Sequence, residues 1–383
     1  MSEAFITRKG GSGYATINFD IPALKQQNAT PLSQARGNFA ATSVGNYALF
    51  GGGTNGQSLN TVDAYNTSLI RSTPTVLSRS IANLAATNVG NYALFGIQDV
   101  DAYDSNLTKT TTTSLSVART NLSATNVGNY ALFGGGYGSS TYRDIVDAYD
   151  TSLTRSTPTT LSVGRTDLAA TSVGNYALFG GGNDTNPLDT VDAYNTSLTR
   201  TIPTPLSQAR TTLTATSVGN YALFGGGSSD RTSFATVDAY NDSLVRSTPT
   251  VLSVGRRYLA ATNVGDYALF GGGNTADGST IYDTVDAYDS NLTRSTQTEL
   301  SQAKRNTAAT SIGNYALFGG GRLGNAFYGE VDAYSVSNNQ IQIYPGTKYS
   351  FNGQSEQTSS TWQTLDFQGQ LNGYLKIKDT NIN

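Results

Sequence analysis

Gly45-Asn46-Tyr47-Ala48-Leu49-Phe50-Gly51 is written into this chain seven times, returning at Gly90, Gly128, Gly174, Gly219, Gly265 (where Asp266 replaces the Asn) and Gly313. Successive copies start 38 to 48 residues apart. A second phrase, Val62-Asp63-Ala64-Tyr65, keeps step with it and recurs at Val100, Val146, Val191, Val237, Val285 and Val331. Two phrases in lockstep at a period of this length mark a propeller or a solenoid.

One whole unit reads from Arg210 to Ser253. Leu213 to Val218 (LTATSV) is a short run whose small Ala and Thr suit a crowded place, and Gly219-Asn220 is a turn. Tyr221 to Phe224 is apolar at every position, as in a strand covered on both faces. Gly225-Gly226-Gly227 ends it and opens a polar loop; Thr236 to Tyr240 (TVDAY) then reads as a third strand and Leu244 to Thr250 as a fourth. Pro249 in that fourth strand fits an outer edge, where a missing N–H costs least. With no helical period anywhere, each unit predicts a four-stranded antiparallel meander. Seven of them predict an all-β, seven-bladed propeller with the Ala-rich strand innermost.

An Arg ahead of the first strand, a strand ending in Gly-Gly, and a Tyr about one strand further on resemble the kelch repeat. The resemblance covers roughly residues 30–345 and implies a kelch-type propeller. It departs in the fourth strand, which lacks the usual Trp, and in the second unit, where Gly96-Ile97-Gln98 replaces the glycine triplet. The expected domains are an N-terminal arm (1–29), the propeller (30–345) and a small β-structured C-terminal appendage (346–383). Gln340 to Tyr344 is favoured as the strand that completes the seventh blade, with Thr30 to Ser33 as the alternative.

Composition excludes several classes of function. The 383 residues contain no Cys and no His, which removes disulfides, thiol chemistry and the commonest metal ligand and general base. Charged residues make up 13% of the chain, with net charge −3 and no basic run, so no nucleic acid is expected. No apolar stretch reaches membrane-spanning length, so no membrane insertion is expected, and residues 1–10 lack the apolar core of a secretory signal. No cofactor and no metal are expected. The Asn-X-Ser/Thr triplets at Asn66, Asn106, Asn195 and Asn291 read as turns.

In an up-and-down meander, the link from strand four to the next strand one shares a rim with the link between strands two and three. The first link carries a basic ring, Arg36, Arg119, Arg165, Arg210, Arg256 and Lys304, with Ile81 in the second unit. Pairing with the Asp of each Val-Asp-Ala-Tyr is the favoured reading of that ring, because buried charges need partners; this leaves Asp101 without its usual one. The second link differs freely between copies, and its exposed aromatics and arginines are the expected ligand-binding residues: Tyr137, Tyr142, Arg143, Arg231, Phe234, Tyr282, Arg322 and Tyr328.

No pair of carboxylates stands out as catalytic, and the expectation is a non-enzymatic binding or structural module. The end segments (MSEAFITRKGGSG and PGTKYSFNGQ) resemble those of tail or capsid-appendage proteins of phages infecting Gram-positive bacteria. That resemblance implies a virion component, held to other virion proteins through both ends and presenting the propeller to a host-surface glycan or receptor; a homo-oligomer is compatible with it. The alternatives are a propeller-type glycan-processing enzyme and a cytoplasmic kelch adaptor for a protein partner.

Overall fold

The computed structural model describes residues 24–336 without a break. Outside them it describes the strands Tyr14–Asp20, Gln340–Ile343, Lys348–Phe351, Gln357–Thr358, Gln363–Asp366 and Asn372–Lys378, together with Ser355. The chain divides into two compact units, one of residues Gln26–Ser335 and one of the two end segments.

Seven four-stranded antiparallel sheets make up the larger unit, and no helix occurs among the described residues. Blade five shows the plan: Thr214–Val218, Tyr221–Gly225, Val237–Asn241 and the short outer pair Arg246–Ser247. Ala222, Leu223 and Phe224 are all fully buried, since both faces of this second strand meet another blade. The innermost strands alternate instead: in Ala169–Val173 of blade four, Ala169, Thr171 and Val173 are buried while Ala170 and Ser172 are half-buried.

Most of the core lies between blades. One apolar cluster joins Leu178 and Val191 of blade four to Phe224 and Tyr240 of blade five. At six of the seven boundaries, all but that between blades two and three, the Phe stands over the strand-ending Gly of the blade before it: a Cβ on Gly180 would lie 2.7 Å from the Phe224 ring, and one on Gly319 of blade seven 3.0 Å from Phe50 of blade one. Glycine is required there to admit a ring. The same Phe meets the Tyr of Val-Asp-Ala-Tyr edge-on, with Phe224 and Tyr240 centroids 5.9 Å apart, a favourable aromatic geometry. The Tyr240 hydroxyl then donates to the Thr204 carbonyl at the exit of the preceding blade (2.8 Å), and every copy repeats that bond, from Tyr65 to Thr30 (2.7 Å) round to Tyr334 to Thr298 (2.8 Å). Burial pushes these phenols well above their ordinary pKa and keeps them neutral.

The ring closes from the N-terminal side. Leu24–Ala29 is the outermost strand of blade seven, beside Val331–Val336. The favoured Gln340 to Tyr344 does not occupy that place; Gln340–Ile343 pairs antiparallel with Gln363–Asp366 instead. A physical reason is visible in the strand that won. Leu24 is buried, and Gln26 Nε2 donates to Asp332 Oδ1 at 3.0 Å, filling the role that Arg246 plays on Asp238 in blade five. The Thr30–Ser33 alternative forms no strand.

In the smaller unit, Tyr14–Asp20 pairs antiparallel with Asn372–Lys378, which also pairs with Lys348–Phe351. The end segment MSEAFITRKGGSG lies outside the described residues.

The rim carrying the turns between strands three and four is uniform. Asn241 Oδ1 accepts the N–H groups of Ser243 (3.0 Å) and Val245 (2.9 Å), and Asn66 does the same for Ser68 (3.0 Å) and Ile70 (2.9 Å). Asn195 does likewise, so the side chains of Asn66 and Asn195 are committed to the turn, whereas before Asn106 and Asn291 the acceptor is Asp104 or Asp289.

Candidate functional site

The two links expected to share a rim are joined there by hydrogen bonds. Isolated antiparallel bridges connect Gly37 with Thr54, Thr120 with Tyr137, Thr166 with Asn183, Thr211 with Ser228, Arg257 with Asn274 and Arg305 with Arg322. The glycine triplet makes this meeting possible. Gly226 and Gly227 hold φ of 67° and 99°, a left-handed pair that turns the second strand sharply into its loop.

Beneath the bridges lies the basic ring, which is sealed. Arg36, Arg165, Arg210, Arg256 and Lys304 have no exposed surface, and Arg119 retains 2%. Each pairs with the Asp of its own blade at 2.8 Å, as in Arg210–Asp238 and Lys304–Asp332. Burial lowers the pKa of the Arg210 guanidinium and Asp238 opposes it. The Asp also accepts from the preceding Ser (Ser207 N, 3.0 Å) and from the fourth-strand Arg (Arg246, 2.9 Å), so it anchors three elements at once. Blade two re-equips its Asp: with Ile81 in the Arg slot, Asp101 takes Ser78 N (2.7 Å) and Oγ (2.6 Å), Thr111 Oγ1 (3.2 Å) and Lys109 (3.6 Å). These cations hold the blades together and are out of reach of a ligand.

Two residues after each ring position, the chain turns left-handed. Asn38, Asn83, Asn121, Asp167, Thr212, Tyr258 and Asn306 all have φ between 53° and 57°. Each donates its N–H to the carbonyl of the counterpart one blade back, Asn83 to Asn38 (2.9 Å) through to Asn306 to Tyr258 (3.1 Å). Asn38 closes the circle on Asn306 (3.2 Å). The result is a continuous belt of main-chain hydrogen bonds around the axis. It surrounds an axial cavity of about 360 Å³, lined next by Ala41, Ala86, Ala124, Ala261 and Ala309. The cavity falls within the size range of small-ligand sites.

Asp167 is the one acid in this belt, standing where four other blades have Asn. Burial lifts its carboxyl up to about 6. A carboxyl whose pKa is raised by folding favours the native state below the unfolded value and loses that advantage as pH climbs through the folded one. Asp167→Asn is therefore expected to stabilise the protein at pH 7 by about 1–2 kcal/mol, the shift being discounted for partial exposure. The gain should fade toward pH 4; urea unfolding at both pH values checks it, and a gain independent of pH would contradict it.

The expected ligand-binding residues fall into two groups. Arg143, Phe234, Tyr282 and Tyr328 occupy one recurring half-buried position, where the carbonyl receives the N–H of the next ring cation: Arg165 to Arg143 (3.1 Å), Arg256 to Phe234 (3.2 Å), Lys304 to Tyr282 (3.1 Å) and Arg36 to Tyr328 (3.1 Å). The Arg143 Nε also donates to Gly138 O at 3.1 Å. Tyr137 and Tyr142 face each other across a two-residue ladder, rings 5.3 Å apart, with Tyr137 41% exposed. Arg231 is exposed at a hairpin tip, and Arg322 lies opposite Arg305.

Missed from the sequence were Asp167, Arg257, Tyr258 and Arg305. They sit directly after the ring cation, where the copies read Gly-Asn, Ala-Asn, Thr-Asn, Thr-Asp, Thr-Thr, Arg-Tyr and Arg-Asn between constant neighbours. Variation between copies was the signal that singled out the other link, and applied here it finds this inner rim as well. Among the described residues no cluster of three or more His, Cys, Asp or Glu could hold a metal ion.

By fold, the larger unit is a seven-bladed β-propeller of four-stranded antiparallel blades. No family model matches the chain, and no curated protein matches it in sequence. Among solved structures it is similar to that of YjhT, with a TM-score of 0.55 and 11% identity over 65% of this chain and 93% of that one. At that identity the likeness is one of fold.

Proposed function

We propose that this chain is a kelch-type, non-enzymatic binding module whose recognition face is the rim bearing both variable links. The observation that carries the reading is the contrast between rims. One is a set of near-identical turns, whereas the other gathers almost all the variation between copies around the mouth of the axial cavity. A rigid scaffold presenting variable connections is the usual build of a recognition surface. Tyr137, Tyr142 and Arg231 supply aromatic and cationic groups of the kind that dominate such surfaces.

The proposed ligand is a host-surface glycan or receptor. The resemblance of the end segments supports placing the module on a phage particle, anchored through those ends, where many copies would add avidity. Labelled full-length protein tested on host cells and on a glycan array checks the reading. Tyr137→Ala, Tyr142→Ala and Arg231→Ala combined should weaken binding at least about tenfold, a loss typical of interface anchors, with melting unchanged. Binding that survives these changes and is lost on altering residues 346–383 would overturn the face assignment. Absence from purified particles would overturn the virion placement.

A further inference from the structure

Every arginine of the blade scaffold faces an aspartate, as Arg210 and Arg246 face Asp238. Three arginines on the inner rim of blades six and seven do not. Arg305 and Arg322 exchange both backbone hydrogen bonds (3.1 and 2.9 Å), which sets their side chains on one side of the ladder. The Arg257 guanidinium lies 5.1 Å from the centroid of the Tyr258 ring. None of the three forms an ion pair with a described residue, and the Nε of each is buried without a partner. Burial lowers the pKa of Arg305, and the charges of Arg322 and Arg257 lower it further, with Tyr258 opposing them. The one acid of the belt, Asp167, belongs to blade four. Like charges held together in a half-buried place destabilise a fold, and clusters of that kind persist where a ligand supplies the missing counter-charge.

We propose that Arg257, Arg305 and Arg322, with Tyr258 beside them, form a binding site for an anionic group on a saccharide, a carboxylate, sulfate ester or phosphate ester, at the mouth of the axial cavity. The proposal rests on the variable rim being the recognition face. Guanidinium groups suit it because they offer paired N–H donors to two oxygens at once. Tyr258 and Asn306 line the cavity on this side, so a sugar ring attached to the anion has a walled space to enter.

Calorimetric titration of the full chain at low ionic strength tests it, with tetragalacturonate, sulfated cellotetraose and phosphorylated cellotetraose as charged probes and plain cellotetraose as the neutral one. At least one charged probe should bind about tenfold or more tightly than the neutral one, a single bidentate contact being sufficient for that factor, and added salt should weaken it. Which probe binds identifies the anion. Arg305→Gln with Arg322→Gln should cut that affinity at least about tenfold without lowering the melting temperature, since a repulsion is relieved. Arg79→Gln, which removes the same charge from blade two, should leave it unchanged.

Equal binding by the double variant, equal affinity for the neutral probe, or no binding of any charged probe would overturn the site. If host-cell binding persists in the double variant yet is lost on changing Tyr137, Tyr142 and Arg231, the anion site fails alone. If it is indifferent to both sets, the rim reading fails as well.

Discussion

Asp238→Ala is expected to cost about 3–5 kcal/mol of stability, the usual price of stranding a buried charge. Asp238 has no exposed surface and lies 2.8 Å from Arg210, whose side chain is equally sealed. It also holds Arg246 (2.9 Å) and the Ser207 N–H (3.0 Å), so its removal unties two links and the outer strand together. Blade two supplies the internal control. There Ile81 replaces the ring cation, and Asp101 is held by Ser78, Thr111 and the partly exposed Lys109. Asp101→Ala strands no buried guanidinium and should cost about 1–3 kcal/mol, the range for orphaned hydrogen-bonding groups. Denaturant unfolding of the two variants checks the difference. If Asp101→Ala costs more, the buried ion pair is not what makes Asp238 indispensable.

Phe224→Ala should be comparably severe, about 3–5 kcal/mol for a fully buried ring. The more telling test joins it to its neighbour. A Cβ on Gly180 would sit 2.7 Å from Cε1 and 3.0 Å from Cδ1 of Phe224, so Gly180→Ala alone forces the ring or the blade to move, at about 1–3 kcal/mol. In the double variant the added methyl enters the space the ring has left. The combined loss should fall short of the sum by about 1 kcal/mol or more, the coupling expected of residues in contact. Additive losses would show that the ring and the glycine do not interlock across the blade boundary. Because the same contact recurs from Gly319 to Phe50, the result bears on closure of the whole circle.

Repetition is what makes this fold readable from its sequence. A phrase such as Tyr221 to Phe224, apolar at every position, is ambiguous once and decisive when it recurs with Val-Asp-Ala-Tyr at a fixed offset. The Gly-Phe interlock could not be foreseen, because it joins residues of different copies that become neighbours only when the sheets stack. The closing strand is hard to read from the sequence for a related reason. Gln340 to Tyr344 alternates like a strand and follows blade seven directly, whereas Leu24–Ala29 is mostly polar; what selects it is Leu24 in the core and Gln26 on Asp332. At the site, Tyr142 and Arg231 announced themselves as unusual residues in a variable loop. Arg257, Arg305 and Asp167 are less conspicuous, because they stand within two residues of a strongly constant position.

The placement of Leu24–Ala29 outside Val331–Val336 also sets an order of events at the ribosome. This strand precedes every other strand of the propeller and cannot find its neighbour until some three hundred further residues have emerged, a wait on the order of tens of seconds at ordinary elongation rates. During it, a strand with free edges would invite pairing with other nascent chains. Lys25, Gln26, Gln27 and Asn28 make this one a poor template for such contacts, so the polarity that hid it from the eye also keeps it available for its late partner.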